Sequence, residues 1–129
     1  MDLCMVNLVE GRARFTKIGA PHSYIIGKNG MRKLDAGSLP IGILDDYEPV
    51  VYDLELEHGD IILMFTDGIA DLETADDGLH QAIREAAEMR NADDIANHIL
   101  SHAYAAYGAK AKDDMTVMVA RVIKNKAVR

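Results

Sequence analysis

The feature that most constrains the fold of this chain is the run Ile61–Phe65, which is followed directly by Thr66, Asp67 and Gly68. Five consecutive apolar residues behind the turn dipeptide Gly59-Asp60 predict a buried strand. The most apolar strand of the chain therefore ends next to a carboxylate, Asp67, which is an unusual neighbour for a buried strand.

Five further stretches are predicted to be strands, because they alternate between apolar and polar residues or adjoin turn signals. The turn signals Glu10-Gly11 and Gly27-Lys28-Asn29-Gly30 predict two β-hairpins. The stretch 50–56 carries apolar residues at alternate positions and predicts a strand with one solvent-exposed face. The predicted strands span residues 2–9, 12–18, 23–26, 31–34 and 50–56.

The period of the apolar residues changes in the second half of the chain, where two helices are predicted. The apolar face of the first helix consists of Leu79, Ile83, Ala86 and Met89. The second helix is expected to begin after an Asn91 cap and to end at Gly108. Its inward face is predicted to consist of Ile95, Ile99, Ala103 and Ala106.

The last predicted element is a strand over residues 115–123, which is apolar on both faces and is therefore expected to be central and covered on both sides. The order of elements is then strands, two consecutive helices and a final strand. This order predicts an α+β fold of layered sheets and helices with mostly antiparallel pairing. With neither a repeat nor a linker, residues 1–129 are expected to form a single domain.

Composition narrows the classes of partner. The 129 residues carry 21 acidic against 14 basic side chains, a formal charge of −7, which argues against nucleic acid as a partner. No apolar run approaches the ~18 residues of a membrane span, so no membrane contact is expected for this segment. Met1-Asp2 lacks the basic start of a signal peptide. A single cysteine, Cys4, fits a reducing, cytoplasmic compartment and is expected to be a buried strand residue.

Two acidic positions are candidates for chemistry. Asp67 follows one apolar strand, whereas Asp113 and Asp114 precede another. If these strands are antiparallel neighbours, the carboxylates open onto the same sheet edge, where Mg²⁺ or Mn²⁺ would relieve their repulsion. Gly68 would allow a metal or phosphate to approach the backbone closely. On spacing alone the alternative stays open that Asp67-Gly68 is an ordinary turn and that the later acids only cap a loop.

Two other groups of side chains could act as ligands by residue type. His98 and His102 stand four residues apart on one predicted helix face, as a zinc pair would, but no third ligand has suitable spacing, so surface histidines are favoured. Asp76 and Asp77 either border a substrate groove or are simply solvated, and solvation is the favoured interpretation.

Four stretches together resemble a known family. They are DLCMVNLVEGRARFTKIGAPHSYII, SLPIGIL, GDIILMFTDGIAD and KDDMTVMVARV, in this order. Each is weakly specific alone, but the set resembles the metal-dependent PPM serine/threonine phosphatases. The similarity is greatest to the bacterial branch typified by stage II sporulation protein E, and it extends over nearly all of residues 2–123.

The resemblance implies a layered α-β-β-α sandwich with a binuclear Mn²⁺ or Mg²⁺ centre at the sheet edge. Asp67 and Asp113 would be the catalytic metal ligands, and Gly68 and Asp114 would support them without binding the ion. The implied reaction is hydrolysis of phosphoserine or phosphothreonine by a water that the ions activate. The implied substrate is a regulatory phosphoprotein such as an anti-sigma-factor antagonist, in sporulation or sigma-factor control.

One departure from the family pattern limits these implications. The family also uses an earlier acid-glycine motif whose aspartate bridges both metals, and no such stretch precedes Asp2. We therefore expect a C-terminal part of the domain that binds metal weakly, has little activity alone and self-associates through exposed sheet edges. The alternative is a non-catalytic binding or regulatory module derived from such a phosphatase. Membrane tethering of a complete protein through other segments is left open.

Overall fold

Seven strands and three helices make up the part of the chain that the computed structural model describes, which is residues 1–37, 42–43, 48–72, 78–108 and 113–125. The strands are β1 (Asp2–Asn7), β2 (Arg12–Lys17), β3 (Ser23–Gly27), β4 (Gly30–Leu34), β5 (Val50–Glu55), β6 (Ile61–Phe65) and β7 (Val117–Arg121). The helices are α1 (Asp67–Ala70), α2 (Gly78–Ala87) and α3 (Ala92–Tyr107). The predicted α+β order of strands, two long helices and a last strand is confirmed.

The strands form two antiparallel sheets. The first sheet has the order β1-β2-β5, and the second has the order β4-β3-β6-β7. Both predicted hairpins are present, because β1 pairs with β2 and β3 pairs with β4. Gly11, with φ of +65°, and Gly30, with φ of +107°, adopt backbone conformations in these turns that glycine accommodates without strain.

Strand β6 is buried on both faces, as predicted. Ile62 and Met64 point into the space between the two sheets, where they pack with Phe15 of β2. Leu63 and Phe65 point to the opposite side, into a second core that the helices cover. Since full burial of one such side chain contributes about 1.5–3 kcal/mol, β6 is a major source of stability for both layers.

Helix α3 has the predicted ends but not the whole predicted face. The Asn91 side chain accepts a hydrogen bond of 2.8 Å from the Asp93 N–H, and Gly108 ends the helix with φ of +61°. The prediction for Ala106 is wrong, because Ala106 is exposed, and Tyr107 instead packs against the core. The inward face advances by four residues from Ala103, which is the spacing that returns to the same side of a helix.

The prediction that the last strand is central and covered on both sides is also wrong. Strand β7 lies at the edge of its sheet, beside β6. Val119 packs on the helical core, whereas Met118 lies opposite Met64, on the face toward the first sheet, and remains 48% exposed. The helices bury one apolar face of β7. Within the described residues, the other apolar face is only partly covered.

Candidate metal site at the sheet rim

The end of β6 and the start of β7 meet at one rim of the second sheet. Beyond the last strand pair, the Thr66 N–H donates to the Thr116 carbonyl at 3.1 Å. The Thr66 hydroxyl oxygen accepts from the Thr116 N–H at 3.0 Å and lies 3.2 Å from the Asp114 carbonyl, to which it donates. The threonine thus continues the strand pairing with its side chain and brings the two acidic segments side by side.

The two predicted ligands stand on either side of this junction. Asp67 is the first residue of α1, and its carboxylate accepts a hydrogen bond of 3.0 Å from the Gly68 N–H. Asp113 carries the corresponding interaction on the other segment, where its carboxylate accepts a 2.7 Å hydrogen bond from the Asp114 N–H. Both aspartates and Asp114 are exposed. The carboxylates are therefore held locally by the backbone and remain accessible to a ligand from solvent.

Gly68 is the tightest point of the rim. A Cβ atom on this residue would lie only 2.5 Å from the Asp114 carbonyl oxygen, a distance that real Cβ atoms do not adopt. The Gly68 carbonyl also accepts a hydrogen bond of 2.6 Å from the Tyr107 hydroxyl. The glycine that follows Asp67 thus allows close contact between the two acidic segments, in addition to any approach of a metal or phosphate.

The pKa of the Tyr107 hydroxyl is affected by the negative charge around the rim. Burial is the first cause that raises the pKa of its hydroxyl, and the negative charges of Asp71, Asp113 and Asp67 raise it further. Three carboxylates from two segments therefore act on one hydroxyl. The rim is an acidic environment in which a bound cation would be favoured electrostatically.

Asp71 and Tyr107 were not predicted as members of this site. Asp71 stands four residues after Asp67, and its N–H donates to the Asp67 carbonyl at 2.9 Å. The sequence carried a signal for it, since an acid one helical turn after another lies on the same side of a helix. Tyr107 carried no such signal, because its proximity depends on how the last turn of α3 packs against α1.

The rim offers the type of donor atom that a hard cation prefers, but fewer donors than such a cation takes. Carboxylate oxygens are the ligands that Mg²⁺ and Mn²⁺ prefer, and such ions usually take about six oxygen donors. Within the described ranges, no group of three or more histidine, cysteine, aspartate or glutamate side chains has a geometry that could hold a metal ion. The described part of the rim therefore supplies fewer carboxylate donors than such an ion takes, and water or other groups would have to supply the rest.

The other residues that the sequence offered as ligands or reactive groups lie away from the rim or outside the described residues. His98 Nε2 is 3.1 Å from the Glu85 carboxylate, and His102 is half-buried on the same helix. Cys4 is half-buried in β1, and burial, followed by the charge of Asp2, raises the pKa of its thiol. Asp76-Asp77 and most of SLPIGIL lie outside the described residues. In the described part of the chain, no helix has the length and apolar character needed to cross a membrane.

A family model described as stage II sporulation protein E (SpoIIE) matches residues 1–123. The stage II sporulation protein E of Bacillus subtilis is 27% identical over an alignment that covers 97% of this chain and 16% of that protein. The phosphoserine phosphatase RsbU of Bacillus subtilis is 28% identical, over 84% of this chain and 35% of its own length. This chain thus spans well under half of both relatives.

Solved structures agree with the family match. The phosphatase domain of the cell fate determinant SpoIIE from Bacillus subtilis superposes with a TM-score of 0.73 at 27% identity, covering 98% of this chain and 57% of that domain. The catalytic domain of the serine/threonine protein phosphatase PstP, solved in complex with two manganese ions, gives a TM-score of 0.70 at 17% identity and covers 95% and 58% of the two chains. The second similarity concerns the fold alone.

Proposed function

This chain belongs to the stage II sporulation protein E family, and on that premise we propose that residues 1–129 form the C-terminal part of a metal-dependent serine/threonine phosphatase domain. The observation that carries the proposal is the meeting of the β6 end and the β7 start, which brings the segments of Asp67 and Asp113 together. Carboxylates in this arrangement are suited to bind a cation beside a phosphorylated side chain.

In the proposed site, Asp67 and Asp113 would hold a divalent ion, Mn²⁺ or Mg²⁺. The bound ion would supply a water that is acidic enough to attack phosphorus, together with neutralisation of the phosphoryl charge. The Thr66 hydroxyl fixes the separation of the two acidic segments through its bonds to Asp114 and Thr116. Gly68 allows that separation to be small, and Asp114 supplies the N–H that orients the Asp113 carboxylate.

We propose that this part of the domain hydrolyses phosphate poorly or not at all by itself. It covers 57% of the SpoIIE phosphatase domain, and the family motif whose aspartate bridges two ions is absent from residues 1–129. The proposed substrate of the complete domain is phosphoserine or phosphothreonine on a regulatory protein such as an anti-sigma-factor antagonist. RsbU, named as a phosphoserine phosphatase, supports the chemical class of that substrate.

We also propose self-association through the open flank, which we define as the edge strands β1 and β7 and the cleft between them. The cleft has a volume of about 770 Å³, and its lining includes Val6, Leu8 and Ile123. Met5 on β1 is 60% exposed. Unpaired strand edges beside apolar side chains favour pairing with another chain, here a second copy.

A non-catalytic binding module remains the second candidate. The observation in its favour is that, within the described residues, no group of three or more histidine, cysteine, aspartate or glutamate side chains has a geometry that could hold a metal ion. A module of this kind would bind a phosphoprotein or another partner through the same rim without hydrolysing it. The two candidates therefore differ in turnover, and both allow binding.

The decisive experiment joins this chain to the preceding part of the Bacillus subtilis SpoIIE phosphatase domain and measures phosphate release from a phosphoserine peptide with and without Mn²⁺. We expect Mn²⁺-dependent turnover that falls by two orders of magnitude or more (roughly, for loss of a catalytic metal ligand) in Asp67→Asn and Asp113→Asn. Asp94→Asn, an exposed acid in the first turn of α3, is the matched control and should retain turnover. Binding of the peptide without any turnover would favour the binding module.

A further inference from the structure

Tyr107 makes a contact at the rim that the proposed mechanism does not use. It is the last residue of α3, and its hydroxyl donates a hydrogen bond of 2.6 Å to the carbonyl of Gly68, the second residue of α1. The side chain is half-buried and packs against the helical core. The contact therefore connects the end of a sixteen-residue helix to the peptide that follows Asp67.

Helix α1 needs such external support. It has only four residues, and a single helical turn has no stability of its own in water. Its cap residue, Thr66, makes no side-chain capping bond, because the hydroxyl is engaged with Asp114 and Thr116 instead. Burial of Ile69 and the 3.0 Å hydrogen bond from the Ile69 N–H to the Thr66 carbonyl hold the turn from within, and the direction of the Gly68 carbonyl is set in addition by a contact from outside α1.

The Tyr107 hydrogen bond does act on that direction. The 2.6 Å hydrogen bond restrains the peptide plane between Gly68 and Ile69. The neighbouring peptide, which joins it at the Gly68 Cα, donates its N–H to the Asp67 carboxylate at 3.0 Å. The raised pKa of Tyr107 agrees with this geometry, since Asp67, Asp71 and Asp113 contribute to it. One hydroxyl thus lies beside both acidic segments while it anchors one of them.

We propose that Tyr107 is a positioning residue for the acidic rim: through the Gly68 carbonyl it holds α1, and with it the Asp67 carboxylate, in place relative to Asp113. This inference rests on the proposed function, because it concerns the same candidate metal site. It makes the last turn of α3 part of the support of the site, although Tyr107 itself binds neither metal nor substrate.

The test uses the 129-residue chain with Tyr107→Phe, which removes the hydroxyl but keeps the ring. Tyr104→Phe is the matched control, since Tyr104 lies one turn earlier on α3 and is 55% exposed. In metal-free protein, amide hydrogen exchange is measured for Ile69, Ala70 and Asp71, whose N–H groups donate within the Thr66–Asp71 turn. We expect exchange there to accelerate about fivefold in Tyr107→Phe, as for the loss of one hydrogen bond, with no change at Leu63 of β6 or in the control.

A second measurement follows Mn²⁺ binding through paramagnetic broadening of the amide signals of Gly68 and Asp114. We expect the apparent Kd to rise several-fold in Tyr107→Phe and to stay unchanged in Tyr104→Phe. Equal exchange at 69–71 in all three proteins would overturn the positioning role, as would altered exchange accompanied by an unchanged Mn²⁺ Kd. If the unsubstituted chain shows no broadening at millimolar Mn²⁺, the proposed metal site fails in this chain, while the exchange data still decide whether Tyr107 orders α1.

Discussion

Replacement of Gly68 by alanine separates local helix propensity from packing at the rim, because the two predict opposite signs. Alanine is favoured over glycine in a helix by about 1 kcal/mol, so propensity alone predicts that Gly68→Ala stabilises the protein. The structure predicts the reverse. The new Cβ would lie 2.5 Å from the Asp114 carbonyl oxygen and 3.3 Å from its carbonyl carbon, and a backbone atom cannot rotate away as a flexible side chain can.

These distances set the expected change in the free energy of unfolding for Gly68→Ala. Overpacking that forces backbone shifts costs about 1–3 kcal/mol, and a Cβ 2.5 Å from a backbone oxygen belongs in the upper part of that range, about 2–3 kcal/mol, from which the propensity gain of about 1 kcal/mol is subtracted. We expect Gly68→Ala to lower the free energy of unfolding by roughly 1–2 kcal/mol in urea denaturation followed by circular dichroism. Tyrosine fluorescence provides a second probe, since the chain has five tyrosines and no tryptophan.

A double variant identifies the source of the cost. The Met115 side chain is also close, with its Cγ 3.3 Å from the new methyl position. If the methionine caused the clash, Met115→Ala would restore stability in the Gly68→Ala background. We expect little restoration, because the nearest atom belongs to the backbone. A Gly68→Ala protein as stable as the unsubstituted chain would refute the close approach of the two segments.

Three further predictions concern other parts of the molecule. Lys17 is fully buried, with its Nζ 2.6 Å from an Asp2 carboxylate oxygen, so Asp2→Ala should lower the free energy of unfolding in urea by about 3 kcal/mol. Lys17→Met should lower it less, because the Asp2 side chain that it leaves unpaired is 18% exposed even though its Oδ1 is buried, and the reverse order would contradict this reasoning. Arg14 lowers the pKa of Asp53 from its ordinary 3.8 through a hydrogen bond and its charge, so Arg14→Ala should raise that pKa in a carboxyl ¹³C titration. The pair's contribution to stability is present above the ordinary pKa and is lost as the pH falls through the folded value. An unchanged titration would argue against the pair in solution. Sedimentation velocity should show concentration-dependent self-association that Met5→Lys and Met118→Lys weaken, whereas a monomer at every concentration would exclude the open flank as an interface.

The strands and hairpins could be predicted because their signals are local. Alternation identifies β5, and the turn glycines at 11 and 30 identify both hairpins. The continuous apolar run identified β6 as buried for the same reason. The position of β7 could not be predicted in this way, since an apolar strand has the same appearance whether its second face is covered or open, and only the sheet order distinguishes the two.

For the candidate site, too, residues with a local sequence signal could be predicted, and those that depend on tertiary packing could not. Asp67 and Asp113 could be predicted as candidates because they flank two strands, and the antiparallel pairing of β6 with β7 brings these flanks to one rim. The contact of Tyr107 with α1 and that of Lys17 with Asp2 depend on the packing of elements that are distant in the chain, and the sequence around these residues does not reveal those contacts. The prediction for Ala106 was wrong for a simpler reason. Tyr107, four residues after Ala103, has the spacing of the inward face, but the alanine beside it is also apolar and was chosen instead.

The hydroxyl bridge from Thr66 to Asp114 spans 48 positions of the chain, and both long helices lie within the loop that it closes. Closing a loop of that length costs conformational entropy before any contact across it is gained, so the bridge should form late in folding, after the early hairpins. Any cation that requires both acidic segments would then act as a probe of whether α2 and α3 have docked, and its affinity should decline under mild denaturation before the hairpins melt.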